Sequence, residues 1–379
     1  MTFDVSLKIS GERFKISYVI TGSEQDAYTH ANDICIEQTI EFPPDLVTGG
    51  DIRGHVFGRI ESFSKKEDNK WEAIISFATE IVGGELTQFI NVMLGNYSLK
   101  PGIRVEHLEL PFSLLKQFKG PRFGIEGIRD LLGVHDRPLF CTALKPMGLS
   151  AKELAELAYQ FALGGVDMIK DDHGLADQPF APFNERVKLC GEAVKKANKE
   201  TGGKCIYIPN LSTMADKTLE KALFAKEQGA GGLMLAPGLV GFDTMRMLAD
   251  NDKFGLPIIC HPAFIGTLIT SKENGVSYYT TFGQLPRLAG ADATIFPNYG
   301  GRFSFSKEDC ESIVKGCIDS MGNIKPAFTM PGGGMNLDRF PEMRKTYGKD
   351  VIFLIGGALH KIGQDLIENC HIYMKALSC

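Results

Sequence analysis

The feature that most constrains this chain is a repeat. From about residue 138 onward, a short apolar run, a polar or Gly/Pro break and an amphipathic stretch succeed one another. The apolar runs are "LFCTALK" (139–145), "VDMIKDD" (166–172), "CIYIPNL" (205–211), "GLMLAPG" (232–238), "LPIICHPAF" (256–264), "ATIFPN" (293–298), "AFTMPGG" (327–333) and "VIFLIGG" (351–357). The stretches between them have helical spacing. In "SAKELAELAYQFALGG", Leu154, Leu157, Ala158, Phe161 and Ala162 share one face, with Ser150 as N-cap and Gly164 as stop. "FNERVKLCGEAVKKANKETGG" and "ADKTLEKALFAKEQGAGG" read the same way. Eight strands, each followed by a helix or a helix-sized gap, predict a parallel (β/α)8 barrel. Continuous apolarity suits strands that are covered on both faces.

Residues 1–130 follow another pattern. "DVSLKI", "RFKISYVI", "HVFGRIESFS" and "WEAIISFA" predict antiparallel strands, while "SEQDAYTHANDICIEQT" and "GELTQFINVMLGN" predict helices. The expectation is an α+β, ferredoxin-like domain of the β-α-β-β-α-β kind over 1–130, ahead of a barrel over 131–379. The Gly- and Pro-punctuated segment "GPRFGIEGIRDLLGVHDRP" (120–138) joins them. A length of 379 residues leaves room for both units.

Composition removes several function classes. With 41 basic against 46 acidic residues, the net charge of -5 argues against a nucleic-acid surface. No apolar run approaches the roughly 20 residues of a membrane helix, and the N-terminus lacks a signal-peptide core. Nine scattered cysteines, never as C-x-x-C, suggest reduced thiols in a cytoplasmic protein and give no zinc spacing.

Barrel enzymes carry their chemistry at the C-terminal ends of the strands. Here those ends offer Lys145, then Lys170, Asp171, Asp172 and His173, then Asn210, His261, and Asn298 with Arg302 in the loop beyond. The last two strands end in glycines, Gly332 with Gly333 and Gly356 with Gly357. Backbone N–H groups approach an anion closely where no Cβ intervenes, so the two glycine pairs suggest a phosphate cradle; tight turns alone would also explain them. Asp172, His173 and Lys170 suggest a metal site, or else a Lys170–Asp172 ion pair beside a structural histidine. Lys145, near these acids, suits a general acid/base, or another buried ion pair.

The runs "GPRFGIEGIRD", "ALKPMGLS", "GGVDMIKDDHGLADQ" and "RLAGAD", in that order, resemble the large subunit of RuBisCO and, more closely, the RuBisCO-like proteins. The resemblance covers nearly the whole chain and implies the same two-domain fold. It implies that Lys170 can be carbamylated by CO2 to give an oxygen ligand for Mg²⁺, with Asp172 as second ligand and His173 where the family has a glutamate. Lys145 matches the family's acid/base lysine, while Met147 stands where a second lysine is usual. His261 and the four glycines match phosphate-binding positions, Asn210 is carried as a further substrate contact, and Arg302 falls near the mobile-loop lysine. Glu37 and Asn96 match residues supplied in trans, implying a homodimer or a higher homo-oligomer of dimers. Losing the second lysine, the glutamate and the loop lysine argues against CO2 fixation, whereas the parts that make and hold an enolate persist.

Among RuBisCO-like groups, "KDDHGLADQPFAPFNERV" most resembles the enzymes acting on 3-oxo-isoapionate 4-phosphate in apiose and apionate catabolism. The expectation is an Mg²⁺-dependent carboxy-lyase acting on a phosphorylated sugar acid. The alternatives are 5-methylthioribulose-1-phosphate isomerase or the diketo-methylthio-phosphate enolase of methionine salvage, and, in another class, a non-catalytic sugar-phosphate sensor.

Overall fold

The computed structural model describes residues 6–378. The N-terminal sheet contains β1 (Arg13–Thr21), β2 (Arg59–Glu67), β3 (Lys70–Ala78) and β4 (Ile103–Glu109), in the order β4-β1-β3-β2 with every pairing among these four antiparallel. Helices Glu24–Glu37 and Leu86–Leu94 follow β1 and β3, which completes the expected β-α-β-β-α-β order. Two details differ from the sequence reading. "DVSLKI" does not form the first strand: Asp4 and Val5 lie outside the described residues, and Ser6–Ile9 pair with no strand. The fourth strand is instead "IRVEHLE", where Ile103, Val105 and Leu108 are buried.

The barrel is built from β5 (Leu139–Leu144), β6 (Met168–Asp171), β7 (Ile206–Ile208), β8 (Leu233–Leu235), β9 (Ile258–Cys260), β11 (Ala293–Pro297), β12 (Phe328–Gly332) and β13 (Ile352–Leu354). A short strand, β10 (Gly275–Val276), leaves it to pair in parallel with β4. The barrel strands are parallel and neighbour one another in chain order. Closure between β7 and β8 comes from an Asn210–Met234 bridge, with Leu211 N–H donating to Met234 O at 2.8 Å. The helix after β5, Ala151–Leu163, starts in a capping box of Ser150 and Glu153 and ends at Gly164, as its spacing predicted.

Side chains alternate along a strand, so the interior can be counted off. Leu139, Cys141, Met168, Ile208, Ile259 and Met330 belong to one buried interior cluster. Continuing by twos brings Ala143 and Lys145, Lys170 and Asp172, Asn210, and His261 to the upper interior. The floor beneath is Ile125, Ile128 and Leu132 of helix Gly124–Leu132. That helix therefore packs with the barrel, although most of it precedes the expected boundary at residue 130.

The N-terminal domain is held against the segment after β9. Gln284 Nε2 donates to Leu108 O at 2.8 Å, and Arg104 Nη1 donates to Ser271 O at 2.6 Å. Eight cysteines are free and buried; Cys379 lies outside the described residues. Among the described residues no helix is long and apolar enough to cross a membrane.

Candidate active site

β5 and β6 are in register with Leu144 opposite Asp171, which sets Lys145 beside Asp172 at the barrel mouth. Lys145 Nζ lies 2.6 Å from Asp172 Oδ1, and His173 Nδ1 lies 3.3 Å from the same oxygen. The His173 ring stacks on His261, with centroids 4.6 Å apart and planes 16° from parallel. Below them Lys170 is buried, its Nζ donating to Asp171 O at 2.9 Å. Groups from β5 and β6 thus converge on one carboxylate, with His261 of β9 stacked on His173, and the Asp172 Oδ2 makes no hydrogen bond among the described residues.

The electrostatics follow from burial and from this crowding. Burial alone would raise the Asp172 carboxyl, but hydrogen bonds from His173 and Lys145 and the charges of Lys145 and Lys170 outweigh it and hold it well below the usual range. Burial lowers the Lys170 ammonium. Burial, with Lys170 nearby, pushes His261 down to about 2, so its ring is neutral, and its Nδ1 accepts from Ala263 N–H at 3.1 Å.

The middle acid of "KDD" points the other way. Asp171 is fully buried behind the strand, accepting from Arg186 Nε at 3.1 Å, Tyr207 OH at 2.8 Å and Asn210 N–H at 3.0 Å. Sequence reasoning missed Arg186 and Tyr207. The available signal was an arginine on the apolar face of helix Phe183–Thr201, beside Val187, Cys190 and Val194, which needs a buried carboxylate. Asn210, expected to meet substrate, has its side chain bonded within the protein. Its amide donates to His173 O at 3.0 Å and Leu175 O at 2.9 Å, and so holds the loop that carries His173.

The glycines behave as an open cradle. A Cβ at Gly333, Gly356 or Gly357 would meet no atom within 4 Å, and Gly333 has a φ of +87°. The N–H groups of these three residues donate to no protein acceptor among the described residues. Gly332 is different, because a Cβ there would sit 3.0 Å from Leu354 Cδ2. Arg302 is exposed, its guanidinium 5.0 Å from the Phe303 ring centroid, and no carboxylate among the described residues pairs with it. Asn298, read as a strand-end group, is buried away from the mouth, where its Oδ1 accepts from Tyr347 OH at 2.6 Å.

Glu37 and Asn96 come together from residues far apart in sequence, Asn96 Nδ2 donating to Glu37 Oε1 at 3.1 Å. They line a cavity of about 510 Å³ with Glu41, Phe42, Tyr97 and Lys100. Among the described residues neither bonds to the barrel mouth of its own chain.

The resemblance drawn from the sequence implies Mg²⁺ at this mouth. No group of three or more His, Cys, Asp or Glu side chains able to hold a metal occurs among the described residues. Asp172 and His173 offer a carboxylate and an imidazole. A third ligand, an oxygen, would exist once Lys170 Nζ carries CO2 as a carbamate, and burial, which lowers the Lys170 ammonium, acts in the direction that addition needs. On that condition Asp172 and the carbamate would offer the oxygens that a hard divalent cation takes, with the His173 imidazole as a less suited third donor.

Residues 124–364 match the family model described as ribulose bisphosphate carboxylase large chain, catalytic domain. The chain is 36% identical, over 94% of its length and 95% of the relative's, to ribulose bisphosphate carboxylase-like protein 1 of Rhodopseudomonas palustris. It is 34% identical to a 5-methylthioribulose-1-phosphate isomerase of Rhodospirillum rubrum, covering 97% of this chain and 96% of that one. A 2,3-diketo-5-methylthiopentyl-1-phosphate enolase of Geobacillus kaustophilus is 33% identical over 80% of this chain and 73% of its own. The crystal structure of a Rubisco-like protein from Rhodopseudomonas palustris superposes with a TM-score of 0.87 at 35% identity, covering 97% of both chains. These relatives do not bear out the narrower resemblance to the 3-oxo-isoapionate group; they support the RuBisCO-like family at large. The chain therefore belongs to the ribulose bisphosphate carboxylase large-chain family, as a RuBisCO-like protein.

Proposed function

We propose that this chain enolises a phosphorylated keto compound bearing an apolar substituent, the reaction class of the isomerase and enolase relatives, and that it does not fix CO2. The observation that carries this reading is the 2.6 Å contact between Lys145 and Asp172, above a buried Lys170 and beside the glycine cradle. The substrate phosphate would lie against the open N–H groups of Gly333, Gly356 and Gly357, with Arg302 and neutral His261 completing its surroundings. Its carbonyl end would then lie at Asp172 and His173, and Lys145 Nζ is placed to move a proton at the adjacent carbon. Bound Mg²⁺, held by carbamylated Lys170, Asp172 and His173, would supply positive charge where the enolate oxygen develops. The 2.6 Å ion pair and the His173–His261 stack hold these groups in place before substrate arrives.

The rim of the mouth favours a methylthio compound over the sugar acid that the sequence first suggested. Met147, Phe264 and Phe303 are exposed in the loops after β5, β9 and β11. Met147 Cε lies 2.5 Å from where a Cβ of Gly174 would be, so that glycine lets the thioether cover the loop beside His173. An apolar group there suits an apolar substituent and gives nothing to a second anion. Glu37 and Asn96, paired away from their own barrel mouth, support a homodimer in which each N-terminal domain completes the other chain's site.

The deciding experiment incubates the Mg²⁺- and bicarbonate-treated protein in D2O with 5-methylthioribulose 1-phosphate, 2,3-diketo-5-methylthiopentyl 1-phosphate and 3-oxo-isoapionate 4-phosphate, followed by NMR. Deuterium entry or rearrangement in a methylthio compound is the expected result. Release of CO2 from the 3-oxo acid alone would restore the decarboxylase reading, and inertness toward all three would favour a sensor.

A further inference from the structure

The loops that follow β11 and β12 are fastened together, and one arginine spans the joint. Asn298, Tyr299, Gly300 and Gly301 lead directly into Arg302. The first of these is pinned at both ends, its N–H donating to Gly332 O at 2.9 Å and its Oδ1 accepting from Tyr347 OH. Arg339 closes the short turn Leu337–Arg339 beyond the glycines and reaches back across the gap. Its Nη1 donates to Tyr299 O at 3.1 Å, its guanidinium lies 5.0 Å from the Tyr299 ring centroid, and its Nη2 is 3.7 Å from Glu342.

The glycines of the joint are shaped around that guanidinium. Gly300 has a φ of +69°, and a Cβ there would lie 2.9 Å from Arg339 Nη1. On the opposing loop, a Cβ at Gly334 would lie 3.2 Å from Gly301 Cα. The barrel does not need this joint, because the β11–β12 pairing already runs unbroken from Ala293 opposite Phe328 to Pro297 opposite Gly332. A Cβ at Gly301 would lie 3.5 Å from Gly333 C, so the joint sets the loop that leads into Arg302 against the glycine turn.

We infer that Arg339 is a positioning residue for anion binding: it clamps the loop bearing Arg302 onto the turn Gly332–Gly334, so that the anion site exists before its ligand arrives. The inference rests on the reading that Arg302 and the glycine turns take the substrate's phosphate. A loop ordered in advance loses little freedom on binding, which improves affinity without any new contact. Arg339 would act through Tyr299 O and the Tyr299 ring, and would not touch the anion.

The test uses the full chain and inorganic phosphate, with calorimetry for affinity and mass spectrometry of limited tryptic digestion for cleavage after Arg302. In Arg339→Met, the phosphate Kd is expected to rise about tenfold, cleavage after Arg302 to accelerate, and the melting temperature to stay in place. Arg339→Lys keeps a donor for Tyr299 O and a cation over the ring, and is expected to recover most of both properties. It also serves if Arg339→Met fails to fold. If the wild type binds no phosphate, the phosphate reading falls and the inference falls with it. If the wild type binds and Arg339→Met is unchanged in affinity and cleavage, the phosphate reading stands and the clamp is refuted. Weaker binding with unchanged cleavage would mean direct contact with the anion, which also overturns a positioning role.

Discussion

Lys145 and Asp172, 27 residues apart, meet at 2.6 Å because β5 and β6 are parallel neighbours in register and both side chains fall on the interior count. The pair sets the chemistry of the mouth. It helps to keep the Asp172 carboxyl ionised, and on the proposed reading it holds Lys145 Nζ where a proton would move.

Replacing Lys145 by alanine is expected to lower kcat by about 10²–10⁴-fold while leaving phosphate-ligand affinity within a few-fold of wild type. Steady-state kinetics and calorimetry on the same preparation check this. Retained turnover would remove Lys145 from any acid/base role.

His173→Glu should change divalent-metal affinity, because it exchanges an imidazole for a carboxylate at one of the proposed ligand positions. Titration of Mg²⁺ with and without bicarbonate reads the effect, and bicarbonate should strengthen binding only while Lys170 is present. An identical isotherm for His173→Glu would show that residue 173 is not a ligand.

Arg186→Leu should lower unfolding free energy by about 3–5 kcal/mol, since it leaves the Asp171 carboxylate buried without its cation. Both members of that pair are wholly buried. Urea denaturation measures the loss. A change under about 1 kcal/mol would contradict the structural role assigned to Asp171.

Stability at acid pH carries a signature of Asp172. Its carboxyl is held below the ordinary aspartate value of 3.8, so the stabilisation it contributes is complete above that value and disappears as pH falls through the depressed one. Urea midpoints taken from pH 5 downward should therefore fall more steeply for wild type than for Asp172→Asn. Parallel curves would show that the ion pair adds nothing to folding.

Mixing two inactive variants tests the in-trans assignment. Glu37→Gln and Lys145→Ala, unfolded and refolded together, should regain about a quarter of wild-type activity, because half of the randomly formed dimers carry one intact composite site. Activity absent from the mixture would place Glu37 outside the partner's site.

The sequence by itself determined a great deal of this protein. The eight apolar runs lie where the strands lie, since a strand covered on both faces must be apolar throughout. The capping box at Ser150 and the stop at Gly164 were legible because helix ends are satisfied by residues a few positions away. The interior positions of Lys145, Lys170, Asp172 and His261 follow from counting by twos along each strand. β4 carries a weaker local signal, because burial along Ile103–Glu109 does not alternate and Arg104 is buried between Ile103 and Val105.

Only the tertiary structure decided which polar groups face the mouth and which are consumed in holding it. Asp171 reads like Asp172 in the string, yet the strand pleat turns it toward Arg186 and Tyr207, 15 and 36 residues away. Asn210 and Asn298 look like ligand groups until their amides are found bonded to loop carbonyls and to Tyr347. Arg339 and Tyr299, 40 residues apart, carry no local signal of their contact. A side chain's direction along one strand is a local property, whereas its partner is set by how separate segments pack. The first can therefore be read along the chain, and the second needs the fold.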